Sequence, residues 1–280
     1  MVRPVPDQPT LLRVIEAIRR HNGYAMPRTG SRLHAWATSR LPTAADVELL
    51  PGVRAHLDLT QPVQVTSWWQ GRRYERPTTE ILDEWARGAA CFFDIGANYG
   101  FFALRAATAG CPAVHAFEPN PNLYAQLAAT CERNHLANLH AHQLGIAATD
   151  GQLELNIGHD LGHSSFGPRD WEDNQPVTVE VTSFDRWLER EAIELPTTPT
   201  WVAKIDVEGF EREVLVGMQR TLEHHAFRSL VVELNELTLQ ACGTSGREIV
   251  ALLAAAGYRE SRPRAGEPGL ENAFFSVTHG

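Results

Sequence analysis

Phe93-Asp94-Ile95-Gly96-Ala97-Asn98-Tyr99-Gly100 sets the architecture of this chain. It joins the apolar run Cys91-Phe92-Phe93 to a helix-compatible run over 101–109. That order spells a strand, a tight loop and a helix start. Gly96 and Gly100 can take positive φ and let backbone approach a ligand with no Cβ in the way, while the helix that follows offers amide N–H groups. A dinucleotide loop needs G-x-G-x-x-G to accept a pyrophosphate. Counted from Gly96, the second and third glycines fall at Asn98 and Phe101, so the phosphate reading weakens. What remains, D-x-G-x-N-x-G, suits a small polar molecule, with Asp94 at the strand end as acceptor for a ligand ammonium, directly or through water.

Further along, Glu118 closes a second apolar run over 113–117, 24 residues after Asp94. A carboxylate at that place accepts from both hydroxyls of a ribose; the competing reading is a surface glutamate beside the helix that Pro119-Asn120-Pro121 introduces. From residue 89 short apolar runs alternate with amphipathic ones, the signature of a parallel sheet wound with helices. Strands are expected over 90–93, 113–117, 140–146, 202–205, 230–233 and 273–277. Leu123, Leu127 and Cys131 mark one helix face, and Phe210, Val214 and Met218 another. Ser245-x-x-Glu248 reads as a capping box, with Gly257 closing that helix.

Two segments break the alternation. Residues 151–182 hold two half-exposed strand patterns, around 152–156 and 177–181, and imply an antiparallel β-insertion. Their connecting loop, 158–167, offers His163, Ser164 and Ser165 either as contacts to acceptor hydroxyls or as a solvated tip. Before the main domain, 89–280, residues 1–88 read as a helical arm, 10–21, and a β-hairpin within 53–68, broken at Thr60-Gln61-Pro62. Trp68 and Trp69 are assigned to packing. Tyr74 and Glu75 stay open between a structural seam and a lid over an acceptor pocket.

With 280 residues, 43% of them hydrophobic, the chain buries one large core or a main domain with an appendage. A formal charge of −9 disfavours a nucleic-acid partner. No run approaches the ~20 apolar residues of a membrane span, and no basic-then-apolar leader pattern is seen, so a cytoplasmic location with no membrane partner is expected. The four cysteines lack C-x-x-C pairing and read as packed thiols. Most of the 12 histidines are assigned to the surface or to helix ends.

Taken together, Asp94-Ile-Gly-Ala-Asn98, Phe117-Glu118-Pro119, Lys204-Ile205-Asp206-Val207-Glu208-Gly209 and Val231-Val232-Glu233 resemble the FkbM-type methyltransferases, over residues 53–278. The resemblance implies a class I, Rossmann-like α/β fold with a doubly wound, mostly parallel sheet. It also implies O-methylation of a hydroxyl on a small natural product, macrolide- or polyketide-like, or on a sugar, with S-adenosylmethionine (SAM) as donor. Asp94, Gly96, Asn98, Gly100 and Glu118 are then expected to hold the cofactor. Strand-end carboxylates face the ligand crevice in such sheets. Asp206 is therefore the first choice for general base or for fixing the hydroxyl, followed by Glu233 and Asn235, with His163 from the loop. Lys204 reads as a structural ion-pair partner and Glu208 as a helix cap. Asp206, Glu233 and Asn235 also offer oxygen ligands for a divalent cation such as Mg²⁺. Two alternatives stand beside this reading: an NAD-dependent oxidoreductase and a non-catalytic SAM-binding regulatory module.

Overall fold

The structure, a computed structural model, describes residues 8–21, 37–158, 164–167 and 175–277. It begins with a helix, Gln8–His21, a hairpin of β1 (Ala44–Leu50) and β2 (Val53–Asp58), and the helices Pro62–Gln70 and Thr78–Arg87. Then come β3 (Cys91–Ile95), β4 (Val114–Phe117) and β5 (Leu139–His142), followed by the short β6 (Gly145–Ile146), β7 (Gly151–Ile157) and β8 (Gln175–Thr182). The chain continues through β9 (Trp201–Ile205), β10 (Phe227–Asn235), β11 (Tyr258–Glu267) and β12 (Leu270–Val277).

Seven strands form the central sheet in the order β11-β12-β10-β9-β3-β4-β5. The run from β10 to β5 is parallel. Strand β12 is antiparallel to β10 and β11 is antiparallel to β12, so β11 runs with the parallel five. Every residue of β3 and β9 is buried, as strands covered on both faces must be. Successive side chains go to opposite sides. Phe92, Val202, Val231 and Phe274 join a core that includes Leu11, Leu49, Trp68 and Trp85 from the N-terminal elements. Phe93, Ile205, Val232 and Phe275 pack instead with Phe184, Trp187, Val214 and Leu253. From β3 the chain steps to β4 and β5 on one side, and β9 and β10 lie on the other. The crevice beyond the carboxyl end of β3 is therefore a topological switch point.

Three local expectations change. The segment 62–68 is not part of a hairpin: Pro62 opens the Pro62–Gln70 helix, where its missing N–H costs nothing. The hairpin lies over 44–58 instead. Val65, Trp68 and Trp69 are spaced as one helix face and are all buried, but over so few residues that face also passes for alternation. The strand expected over 140–146 splits, with β5 in the central sheet and β6 beside β8 in a three-stranded sheet. Third, two of the histidines on β4 and β5 are not surface groups, although His140 is exposed. His115 and His142 are half-buried, their Nδ1 and Nε2 atoms are 3.1 Å apart, and both rings meet Trp187. Burial, and then the neighbouring histidines, push their pKa values down to about 3 and about 4.

The β-insertion forms as β7 and β8, paired antiparallel. The cysteines are free thiols, with Cys91 and Cys111 buried. Among the described residues no helix is long and apolar enough to cross a membrane.

Candidate active site

The loop after β3 turns sharply at Gly96, φ +82°, where a Cβ would run into the Asp206 carbonyl oxygen. At Gly100, φ +92°, a Cβ would strike Leu127 of the Pro121–Arg133 helix. Gly96 is therefore required by close approach to backbone and Gly100 by its positive φ, and Gly100 leads into the Phe101–Thr108 helix. Gly96 and Ala97 donate their amides to the Phe117 carbonyl, and the Asp206 amide donates to Ile95 at 3.0 Å. These bonds lock the ends of β3, β4 and β9 together.

Glu118 lies where the spacing puts it. Its Oε2 accepts from the Asn98 amide at 2.7 Å and its Oε1 from the Asn120 amide at 2.8 Å. The carboxylate thus ties the glycine loop to the turn after β4, and each oxygen keeps a lone pair for a further donor. Burial drives its pKa up to about 7 against the pull of those two amides. Asn98 itself stands at φ 55° and accepts from the Tyr99 amide.

Asp94 and Lys204 are register partners on β3 and β9. Asp94 is 1% exposed, neither of its carboxylate oxygens has a well-aligned hydrogen-bond partner, and burial raises its pKa to about 6 while Lys204 pulls it down. It underlies the cavity wall and is not part of the lining. Lys204 reaches the cavity, its Nζ 2.6 Å from Asp206 Oδ2 and 4.8 Å from the Phe102 ring centre. Burial disfavours its ammonium, but Asp206, Asp94 and Glu75 outweigh that and hold its pKa above the ordinary value.

A cavity of about 370 Å³ collects these groups. Gly96, Asn98, Glu118 and Pro119 line one end. Tyr74, Glu75, Lys204, Asp206, Glu208 and Glu233 supply most of the polar atoms at the other. Among the described residues a roomier groove of about 670 Å³ lies between the hairpin and the Pro121–Arg133 helix. It holds neither the glycine loop nor any strand-end carboxylate of the central sheet, so the smaller cavity is the candidate site. Burial, then Asp206 and Glu208, hold the Glu233 carboxyl well above its usual range.

The structure brings Gly96, Asn98, Glu118, Asp206 and Glu233 to one cavity. It does not bring Asn235, whose side chain accepts from the Leu237 amide and caps the Glu236–Ala241 helix. In its place Glu208 joins Asp206 and Glu233, with ligand atoms within 4.8 Å of one another. The cap expected at Glu208 is not made: no side chain caps the Glu211–Gly217 helix, and Glu211 instead accepts from the amides of Val207 and Gly209 in the turn before it. His163 lies outside the described residues. Ser164 lines the cavity, and Ser165 is buried with its hydroxyl donating to the Glu208 carbonyl. Lys204, Glu208, Tyr74 and Glu75 are cavity residues that the motif spacing did not assign.

A glycine loop at the switch point, a carboxylate ending the next strand and a strand reversed between parallel neighbours define a class I methyltransferase domain. Residues 94–260 match the methyltransferase FkbM domain, and the chain belongs to that family of SAM-dependent methyltransferases. The hexuronic acid methyltransferase AglP of Haloferax volcanii is 26% identical over 184 residues, which cover 66% of this chain and 70% of that protein. Among solved structures, the O-methyltransferase from Bacillus cereus in complex with SAH overlaps with a TM-score of 0.44 at 13% identity, covering 72% of this chain and 81% of that one. The O-methyltransferase TomG from Streptomyces achromogenes, involved in tomaymycin synthesis and in complex with SAM, overlaps at 0.44 with 12% identity, covering 73% and 80%.

Proposed function

We propose that this methyltransferase moves the methyl group of SAM onto a hydroxyl oxygen of a small acceptor, a sugar or a natural product. Bound there, SAM supplies an electrophilic methyl on a cationic sulfur, so alignment of the acceptor provides much of the acceleration. The observation that carries the reading is the pairing of the Gly96 cradle with Glu118 at one end of a cavity whose other end is lined with carboxylates. In this reading Glu118 takes the ribose hydroxyls and the loop of Gly96, Asn98 and Gly100 accommodates the nucleoside and amino-acid tail. The orphaned oxygens of Asp94 draw the tail's ammonium from below. Asp206, oriented by Lys204, fixes the acceptor hydroxyl. Glu233, held toward its protonated form, donates to a neighbouring acceptor oxygen.

A sugar is favoured within this class because the cavity offers many polar groups at close range and because the relative AglP is a hexuronic acid methyltransferase. Mg²⁺ is not needed by this reading: Lys204 already neutralises Asp206, although Asp206, Glu208 and Glu233 bring three carboxylates together. The free thiols accord with a reducing, cytoplasmic setting.

The test is a screen with methyl-labelled SAM against neutral hexosides, hexuronates and macrolactones, with and without EDTA. Mass detection of a methyl ether is expected, undiminished by chelation. Tight SAM binding with no transfer to any acceptor would instead favour the regulatory module.

A further inference from the structure

We propose that Glu75, supplied by the segment that precedes the family domain, is the carboxylate that receives the acceptor's proton; this rests on the methyl-transfer reading above. Pro62, Val63, Thr66, Tyr74, Glu75 and Leu270 line the cavity from outside residues 94–260. Of these six, Glu75 alone carries a charge. Two of the carboxylates inside the family domain are less free for the task. Asp206 is committed to the buried ammonium of Lys204 at 2.6 Å, and protonating it would strand that charge. Burial, then Asp206 and Glu208, push Glu233 well above its usual range, whereas the rise that burial gives Glu75 is opposed first by Lys204.

Glu75 is held in place from several directions. Its side chain lines the cavity beside Tyr74, and Lys204, Tyr74 and Asn272 favour its charged form against burial. The Tyr74 ring stands edge-on to Phe101 at 5.0 Å, and its carbonyl accepts from the Thr79 hydroxyl. Glu75 also sits at φ 46°, a conformation that L side chains rarely adopt. Asn98 and Glu208, at φ 55° and 54°, share both that conformation and this cavity. Such strain persists where the surroundings over-determine it, as at working sites.

In the transfer step the acceptor O–H bond breaks and its proton passes to Glu75. A lone pair of the oxygen forms the new O–CH₃ bond, and the C–S bond breaks with its electron pair going to sulfur. The products are a methyl ether, neutral S-adenosylhomocysteine and a protonated Glu75, which returns its proton to water.

The competing role is structural: Glu75 is one of three carboxylates around Lys204. Calorimetric titration of SAM and of S-adenosylhomocysteine into the wild type and Glu75→Gln, from pH 6 to 8, separates the two. Only SAM carries the sulfonium charge, whereas Glu118 and the glycine loop meet both ligands alike, so the affinity ratio isolates the charge that faces the sulfur. Glu75→Gln should lower the preference for SAM on the order of fivefold at pH 8, the size of one screened charge pair, and leave S-adenosylhomocysteine binding intact. Any change of that ratio with pH should disappear in the variant. An unchanged ratio in Glu75→Gln, or equal weakening of both ligands with a lower melting temperature, would overturn the proposal. A wild type that binds neither ligand would overturn the cofactor reading itself, and this one with it.

Discussion

The two ends of the cavity share one crevice but come from different stretches of chain. The cofactor end is local: Gly96, Asn98 and Gly100 lie within one strand-loop-helix unit, and Glu118 ends the adjacent strand. The acceptor end is assembled from distance, with Thr66 and Glu75 before the family domain, Asp206 and Glu233 on two inner strands and Leu270 in the last hairpin. A local unit can be kept while its surroundings vary, so the contrast indicates where donor chemistry and acceptor choice are stored. Substitutions at the first end should affect every nucleoside ligand equally. Those at the second should leave S-adenosylhomocysteine binding alone, with Glu75 altering only the extra affinity that the sulfonium charge gives SAM.

The strongest effect is expected at Gly96. Gly96→Ala places a Cβ against the Asp206 carbonyl at a φ that alanine resists, and should cost about 3 kcal/mol or more in urea denaturation and abolish SAM binding. A stable variant with normal SAM affinity would refute the cradle. Thr66→Ala, at the opposite end, should leave SAM affinity unchanged and serves as the control.

Next is Glu118→Ala. Loss of charged hydrogen bonds, about 1.5–3 kcal/mol, should weaken SAM and S-adenosylhomocysteine together by tenfold or more, with a smaller fall in melting temperature. Weakening of only one ligand would move Glu118 to the acceptor end.

A third test uses pH. The folded-state pKa of Glu118 is raised to about 7, so its favourable contribution to the empty fold is complete below its unfolded value of about 4.5 and is lost as pH climbs through 7. Ribose hydroxyls prefer the ionised carboxylate, so affinity for both ligands should rise several-fold between pH 6 and 8. Glu118→Gln should flatten that rise in calorimetry. A rise preserved in the variant would assign the proton elsewhere.

The weakest effect belongs to Asn235. Removing its cap in Asn235→Ala should cost about 1 kcal/mol of stability in thermal melts while methyl transfer continues. A large loss of turnover at unchanged stability would return it to the site.

Legibility in the sequence follows the same divide. The strand-loop-helix order and the Glu118 spacing are carried by neighbouring residues, and the parallel sheet by short, mostly apolar strands such as Cys91–Ile95. Glu75 stays open in the sequence between seam and pocket, because the feature that makes it a cavity residue is the packing of Tyr74 on Phe101. Asn235 is misread when a strand end is treated as a site position, although an Asn just before a helical run is also a cap by its own chemistry. The strand Tyr258–Glu267 escapes a search for apolar runs, because most of its residues are polar and exposed at the sheet edge.

The account turns on where a bound nucleoside lies, and a crystal structure with S-adenosylhomocysteine tests that directly. Its ribose hydroxyls should meet the Glu118 carboxylate, with the amino-acid tail passing the Gly96 bend toward Lys204 and Asp94. A ligand seated in the groove beside the hairpin, with Glu118 untouched, would contradict it.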